Sequence, residues 1–545
     1  MKSSSRTGIS WWLLVWLGLG GMLRFANLGL KPPWSDEWAS LVFSLGNSFR
    51  SIPLNGVISL SELLVSLQVR SLGTAEVVNN LLTESTHPPL YFVLNHWWLE
   101  ITGTQGALVS IWWGRCGSAL LGTVAIAGMF LTGWLMTRSF AVARLAAALM
   151  AVSPFGVYLA QETRHYTLAI LWLLGSLACL VVTARQLTEK SKLKWRVVMV
   201  WIVVNVLGVA THYFFALALV AQTMVLTSYW WEDITKGRGS WLNGNWFKIY
   251  TAIAATVAGC LPWLWLWRSI PDNGLTSWVY RENVWLTLYE SVGRILLWLI
   301  TDIALLPVEG VPNWVAIASG IVLLAALGWI GSVFLRSYRK LNDLSLSVLT
   351  RFIVAAIALI LLIAVTTGAD MSLSARFQFF YYPAWLLLIA IVTASVWQNH
   401  RKLPVVVLIL LGICGSLSIN HNLAFQKVER PDKVVPVMVE AYQQLPVVIT
   451  IDHFTHGQTG ELMSLGWQFK QAIDRREISW QPQFLLLNSD LKISLQEQIQ
   501  QIEKPFQLWL INFSPSPDLS NTSCKPNPNY QRRTTGYKYR LYDCN

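Results

Sequence analysis

Charge is what this chain has least of. Only 13% of its 545 residues are Asp, Glu, Lys or Arg, while 54% are hydrophobic. A soluble domain carries about 25% charged residues, so a soluble architecture is excluded for most of the chain. Cysteine is scarce too, with six residues, which excludes a scaffold built from disulfides. Acidic residues number 29 against 41 basic ones, for a formal net charge of +12. On a soluble protein that excess would suggest nucleic acid. Here the basic residues gather in short loops between apolar runs, as in RQLTEKSKLKWR (185–196), RSYRK (336–340) and NHRK (399–402). That is the positive-inside pattern of a membrane protein, and it sets cations near anionic lipids. Membrane lipids are therefore expected partners and nucleic acid is not.

Long apolar runs are abundant from residue 9 to about residue 420, many near the length that crosses a bilayer core. Thirty tryptophans fit the membrane interface. The sequence predicts an all-α polytopic membrane protein, with a multi-pass inner-membrane location and the N-terminus in the cytoplasm. The basic start followed by a long apolar run, without a small-residue cleavage site, reads as an uncleaved first span. Spans are expected at 9–28, 108–136, 140–159, 166–185, 196–211, 213–231, 248–267, 312–335, 346–367, 377–397 and 403–420, eleven in all. The segments 87–103 and 286–306 are ambiguous. The first reads as a helix on or partly in the outer leaflet, the second as amphipathic and re-entrant. If both crossed, the count would be 13, with basic loops then falling outside. Residues 268–285 read as an outer segment.

The segment 29–107 is an unusually long loop, expected outside. SLSELLVSLQVRSL (59–72) repeats leucine on one helical face, with Ser59 and Glu62 spaced as a capping box. AEVVNNLL (75–82) follows as a second short helix. Both are expected on the membrane surface, with a soluble helical hairpin as the alternative. After residue 425 the composition changes. Strands are expected at 447–452, 506–513 and 537–544, helices at 459–473 and 494–502, and a loop over the Pro- and Asn-rich 514–529. The expected division is a membrane module over 1–424 and a small extracytoplasmic α/β domain over 425–545. Cys524 and Cys544 are candidates for a disulfide there, while Cys116, Cys179, Cys260 and Cys414 read as buried small hydrophobes. Asn521-Thr522-Ser523 matches a glycosylation sequon, a pattern frequent by chance.

By this topology a restricted set of polar groups falls at one membrane face. Asp36 and Glu37 lie in PPWSDEWASL (32–41), just past the first span. Adjacent acids on a helix cannot point the same way. One can satisfy the helix N-terminus while the other faces a cavity as a general base. The pair is also the candidate holder of a divalent cation; no other cofactor is suggested. His87 opens HPPL, whose prolines fix a helix start; it reads either as incidental there or as a residue that binds a phosphate or orients Asp36. AQETRHY (160–166) crowds Glu162, Arg164 and Tyr166 into one turn, and SARFQFFYY (374–382) holds Arg376 and Tyr381. Each Arg reads either as an interfacial snorkelling side chain or as part of a phosphate clamp. His212 and Tyr213 sit at a tight turn, candidates for lining a substrate cavity. Asp452, His453 and His456 fit no zinc spacing and read as ordinary loop residues after a strand.

Together, the acidic pair after span one, the long loop, HPPLY, AQETRHY and RFQFFYYP resemble the GT-C membrane glycosyltransferases, in the branch related to protein O-mannosyltransferases and lipid A aminoarabinose transferases. The resemblance covers roughly residues 10–400 and leaves out the C-terminal region. It implies transfer of a sugar from a polyprenyl-phosphate donor to a lipid, glycan or protein acceptor at the outer face, with inversion. It implies that Asp36 is the base or positions the acceptor, with Glu37 its companion. It also implies that His87, Pro88 and Pro89 form the family's His/Lys-Pro-Pro motif, and that Arg164 and Arg376 serve the donor phosphate. No second acidic motif accompanies AQETRHY beyond Glu162, which leaves metal dependence open. The alternative function is a transporter or flippase of lipid-linked sugars. That reading calls for ionisable residues in mid-span and inverted repeats, whereas here they gather at one face.

Overall fold

A computed structural model describes residues 4–235, 244–269, 274–282, 284–488, 495–515 and 517–545. The expected outer segment 268–285 thus lies partly outside the described residues. In apolar surroundings the backbone must satisfy its own N–H and C=O groups, so the apolar runs fold as helices. In chain order these are α1 (Ser4–Phe25), α2 (Ser35–Ser44), then strand β1 (Val57–Ile58), α3 (Leu60–Leu63), α4 (Thr74–Glu84) and α5 (Leu90–Thr102). The main helical bundle continues with α6 (Ile111–Thr137), α7 (Phe140–Val152), α8 (Pro154–Ala160), α9 (Tyr166–Thr188), α10 (Trp195–Thr211), α11 (Phe215–Thr235) and α12 (Gly244–Ser269). It ends with α13 (Val284–Thr301), α14 (Asn313–Tyr338), α15 (Leu344–Thr367), α16 (Tyr382–Gln398) and α17 (Lys402–Asn420).

Among the described residues, α6, α9, α14, α15 and α17 are long and apolar enough to cross a membrane. A sixth span is added if α7 and α8, bent by 58° at Ser153, are one broken span. The bend has a local cause: Pro154 cannot donate the hydrogen bond that would continue α7, and the Ser153 side chain caps α8 through the Gly156 N–H. Helices α1, α10, α11, α12 and α16 stand at the other expected positions, and α5 and α13 at the two ambiguous ones. The chain is an integral membrane protein. Small residues let its helices close up: at Gly133 on α6 an added methyl would meet Ala146 of α7 at 3.3 Å.

The remaining elements are α18 (Pro431–Glu440), β2 (Val447–Asp452), α19 (His456–Asp474), β3 (Gln483–Leu487), α20 (Leu495–Gln500), β4 (Phe506–Ile511), β5 (Cys524–Thr534) and β6 (Tyr537–Cys544). They form a six-stranded sheet in the order β1-β3-β2-β4-β6-β5. Strand β2 runs parallel to β3 and β4, placing Ile449 between Phe484 and Trp509, while β6 is antiparallel to β4 and β5. Cys524 and Cys544 are paired across β5 and β6 and form a disulfide.

Several expectations are corrected. The 514–529 loop is in part the edge strand β5, whose prolines are tolerated at an edge and beside the register shift between Pro526 and Gln531. Strands β1 and β3 had no counterpart in the sequence reading. The 59–72 helix is only α3, followed by a 3-10 turn at Val65–Leu67, although the Ser59–Glu62 capping box forms. Its leucines do not face lipid. Leu60 and Leu63 lie against Gly466 of α19, so the C-terminal unit covers that greasy face. Cys414 is exposed rather than buried. One hydrophobic core joins the 29–107 segment to the C-terminal unit, with Trp38, Phe43, Leu63, Phe469, Phe484 and Trp509 all buried in it.

Candidate functional site

Pro32 and Pro33 deliver the chain into α2, whose first turn carries Asp36 and Glu37. Acids are favoured there by the helix dipole. Successive residues on a helix diverge by about 100°, and these two carboxylates enter different surroundings.

Glu37 turns inward. Its two oxygens accept from Arg115 Nε at 2.7 Å and Nη2 at 2.8 Å, and Oε1 also accepts the Thr163 N–H at 3.0 Å. Both side chains are wholly buried. Arg115 donates its remaining nitrogen to the carbonyls of Leu28 and Lys31 at 2.8 and 2.9 Å. Burial raises the Glu37 carboxyl, but Arg115 outweighs it and pushes it down to about 2. The pair ties α2, α6 and the α1–α2 connection together, and both carboxylate oxygens are engaged.

Asp36 turns toward open space, with its side chain 34% exposed. Its Oδ2 lies 3.3 Å from Arg164 Nη2 and 3.2 Å from Arg376 Nη2. Arg164 also donates to the Asp36 carbonyl at 2.8 Å and to Ser40 Oγ at 3.1 Å. Arg376 is stacked among aromatics, its guanidinium 4.6 Å from the Trp34 ring, 5.3 Å from Phe377 and 5.8 Å from Trp278. Arg164 lies 5.6 Å from the Tyr166 ring. The Nε atoms of both arginines are buried without a partner. Burial raises the Asp36 carboxyl, yet Arg376 and Arg164 hold it below the usual carboxylate value.

Three histidines form the adjoining wall. His87 bonds Ser85 Oγ through Nδ1 at 3.1 Å, its ring lies 5.2 Å from His165, and His165 lies 4.4 Å from His212. His212 accepts the Phe214 N–H at 3.0 Å. Both ring nitrogens of His165 are buried and unpartnered. Burial, then Arg164, push His87 down to about 3, so this wall is neutral at physiological pH.

The structure therefore gathers Asp36, Arg164, Arg376, Tyr166, His87 and His212 at one end of the bundle. It places Glu37 behind them. Glu162 is buried in an ion pair with Lys427, and its Oε2 has no partner. The Tyr381 hydroxyl is buried and unpartnered, and Tyr213 is half-buried against the helical core. Among the described residues, neither tyrosine shares a hydrogen bond or ring contact with Asp36 or its arginines. A divalent cation does not fit the acidic pair. Both Glu37 oxygens and Asp36 Oδ2 already face guanidinium groups, and among the described residues no group of three or more His, Cys, Asp or Glu side chains converges to hold a metal.

Sequence reasoning overlooked His165, although it stands within the AQETRHY motif. It also set aside His456, read as a loop residue. His456 begins α19, stacks on Phe49 at 5.0 Å and meets Phe43 edge-on at 5.9 Å. It stands close enough to Asp36 for each to shift the other's titration. No local signal marks it, because its place depends on how α19 docks on α2.

No family model matches the chain, and no curated protein matches it. Solved structures do. The crystal structure of ArnT from Cupriavidus metallidurans in the apo state is similar over 99% of this chain and 98% of that chain, with TM-score 0.53 and 10% identity. The same protein bound to undecaprenyl phosphate gives TM-score 0.52 and 11% identity, with the same coverage. At such identity the likeness shows the fold alone. The fold is that of the GT-C membrane glycosyltransferases, and it extends through the C-terminal unit.

Proposed function

We propose that this chain is an integral-membrane glycosyltransferase that takes a sugar from a polyprenyl-phosphate donor. The observation that carries the reading is one partly exposed carboxylate oxygen, on Asp36, shared by two buried guanidinium groups. Arginine recognises phosphate oxygens bidentately, and both guanidiniums already turn an Nη2 toward one partly exposed anionic oxygen. A cavity of about 270 Å³ lies between α5, α10 and α12, lined by Pro89, Leu90, Val93, Leu207, Ala210 and Trp263 among others. Its apolar lining, which includes residues two positions from His87 and from His212 in sequence, suits an isoprenoid tail. ArnT, which shares the fold, has been crystallised with undecaprenyl phosphate.

The reaction follows as a single displacement. The acceptor oxygen attacks the anomeric carbon as its proton passes to Asp36. The bond from that carbon to the phosphate oxygen breaks, and the electron pair leaves with the polyprenyl phosphate. Arg164 and Arg376 stabilise the departing charge, and the configuration inverts. While both arginines hold Asp36 it is a weak base. A donor phosphate competing for the same guanidiniums loosens that hold and raises the carboxylate's basicity, so donor arrival readies the base. Glu37, sealed with Arg115, fixes the turn that carries Asp36. The site and C-terminal unit lie on the extracytoplasmic side, with the N-terminus in the cytoplasm, in keeping with the basic loops.

The test is transfer by purified protein from a panel of radiolabelled polyprenyl-phosphate sugars into membrane extract. Incorporation from one donor, lost in Asp36→Asn, is the expected result. Transfer undiminished in that variant would remove Asp36 from the mechanism, and incorporation from no donor would remove the reading.

A further inference from the structure

The turn that carries Asp36 lacks an ordinary cap. A helix start leaves its first N–H groups unpaired, and a Ser, Thr, Asp or Asn usually accepts one of them. The N-cap of α2 is Trp34, which makes no side-chain cap bond. The acceptor comes instead from Glu429, 394 residues away in sequence, whose oxygens receive the Ser35 N–H at 3.1 and 3.2 Å. Glu429 is 4% exposed. Ser464 of α19 stands 2.9 Å from the same carboxyl and accepts the Trp38 indole N–H at 2.8 Å.

Two close approaches fix this arrangement. An added methyl at Gly460 would stand 2.8 Å from Ser35 Cα, so α19 meets the start of α2 with no side chain between them. The β5–β6 turn, with Gly536 at φ +80°, seats on the other side, where a methyl would run into the Val428 carbonyl. His456, Gly460 and Ser464 recur every fourth residue, so one face of α19 lies along α2.

We propose that Glu429 is a positioning residue for Asp36. From the connection between α17 and α18 it caps the turn that carries the reactive carboxylate, and so sets that carboxylate against Arg164 and Arg376. The inference rests on the glycosyltransferase reading for its kinetic consequence and on geometry alone for the cap. Burial, then Glu461, push the Glu429 carboxyl up to about 8. Tyr537 of β6 is the other titratable group facing it, while α2 presents the Ser35 N–H. At neutral pH the group is thus uncharged, and Gln is its close mimic.

The experiment uses full-length protein in nanodiscs and compares wild type, Glu429→Ala, Glu429→Gln and Ser464→Ala. Amide exchange over Ser35–Trp38, undecaprenyl phosphate binding, and kcat and donor KM from pH 6 to 9 are measured. In Glu429→Ala, exchange over that turn should quicken and kcat fall, each about tenfold for a lost cap, with phosphate binding and donor KM unchanged. Glu429→Gln should restore both at pH 7 and lose the wild-type inflection near pH 8. Ser464→Ala should give a smaller version of the alanine effect and decides the matter if Glu429→Ala does not fold. Unchanged exchange and kcat in the alanine variants, or a Gln variant as impaired as Ala, would overturn the proposal. If wild type transfers no sugar at all, the functional reading fails, while the exchange data still judge the cap.

Discussion

Two arginine–carboxylate sites stand one residue apart on α2, and they differ in almost everything except chemistry. Every side-chain nitrogen and oxygen of the Glu37–Arg115 pair finds a partner, and neither side chain touches solvent. Around Asp36 one oxygen serves two arginines, the carboxylate is one-third exposed, and both arginines keep an unpartnered Nε. A sealed pair has nothing left to offer a ligand. An open, over-supplied cluster of cations does, because a second anion can replace the first. Access, and two guanidiniums to one carboxylate instead of one to one, separate the two sites.

The comparison can be broken from either side. The largest effect is expected for Asp36→Asn, which should fold and insert but lose transfer by about 10²- to 10⁴-fold, the scale of a lost general base. Steady-state rates on the identified donor check it. Arg115→Ala should instead act on the fold, destabilising by about 3–5 kcal/mol because it strands a buried carboxylate; thermal unfolding of the purified protein reads this. Arg376→Ala should leave the fold intact and raise the donor KM about 10- to 100-fold, the loss of a charge-assisted contact, with a smaller change in acceptor KM. The reverse split would assign Arg376 to the acceptor.

The smallest effect lies in pH. Glu37 titrates lower in the folded protein than in an unfolded chain, so its pair contributes stability above about pH 4.5. That contribution is lost as pH falls toward its folded value of about 2. Acid unfolding should therefore set in below pH 4.5 and be flatter in Glu37→Gln. Glu429 has the opposite sign. Raised to about 8, it favours the folded state most below the unfolded carboxyl value and loses that advantage as pH rises through 8.

The helical positions were legible from residues alone, because a bilayer-spanning run must be long, apolar and helical whatever its neighbours do. The capping box at Ser59 and Glu62 was legible for the same local reason. What escaped was what needs a partner elsewhere. The leucines of α3 look alike whether they meet lipid or α19. Strand β5, rich in Pro and Asn, reads as loop until β6 and the Cys524–Cys544 bond claim it. The sequence also showed two acids side by side without revealing which would be sealed, since Arg115 lies 78 residues further on.

The sequence by itself determined that this is a helical membrane protein with a polar cluster at one end of its bundle, because solvent preference acts residue by residue. Only the tertiary structure decided that Asp36 is the open acid and Glu37 the closed one, and that the Glu429 side chain caps the turn bearing both. Those outcomes depend on contacts between segments 78 to 394 residues apart, where direction and distance, rather than composition, fix which groups meet.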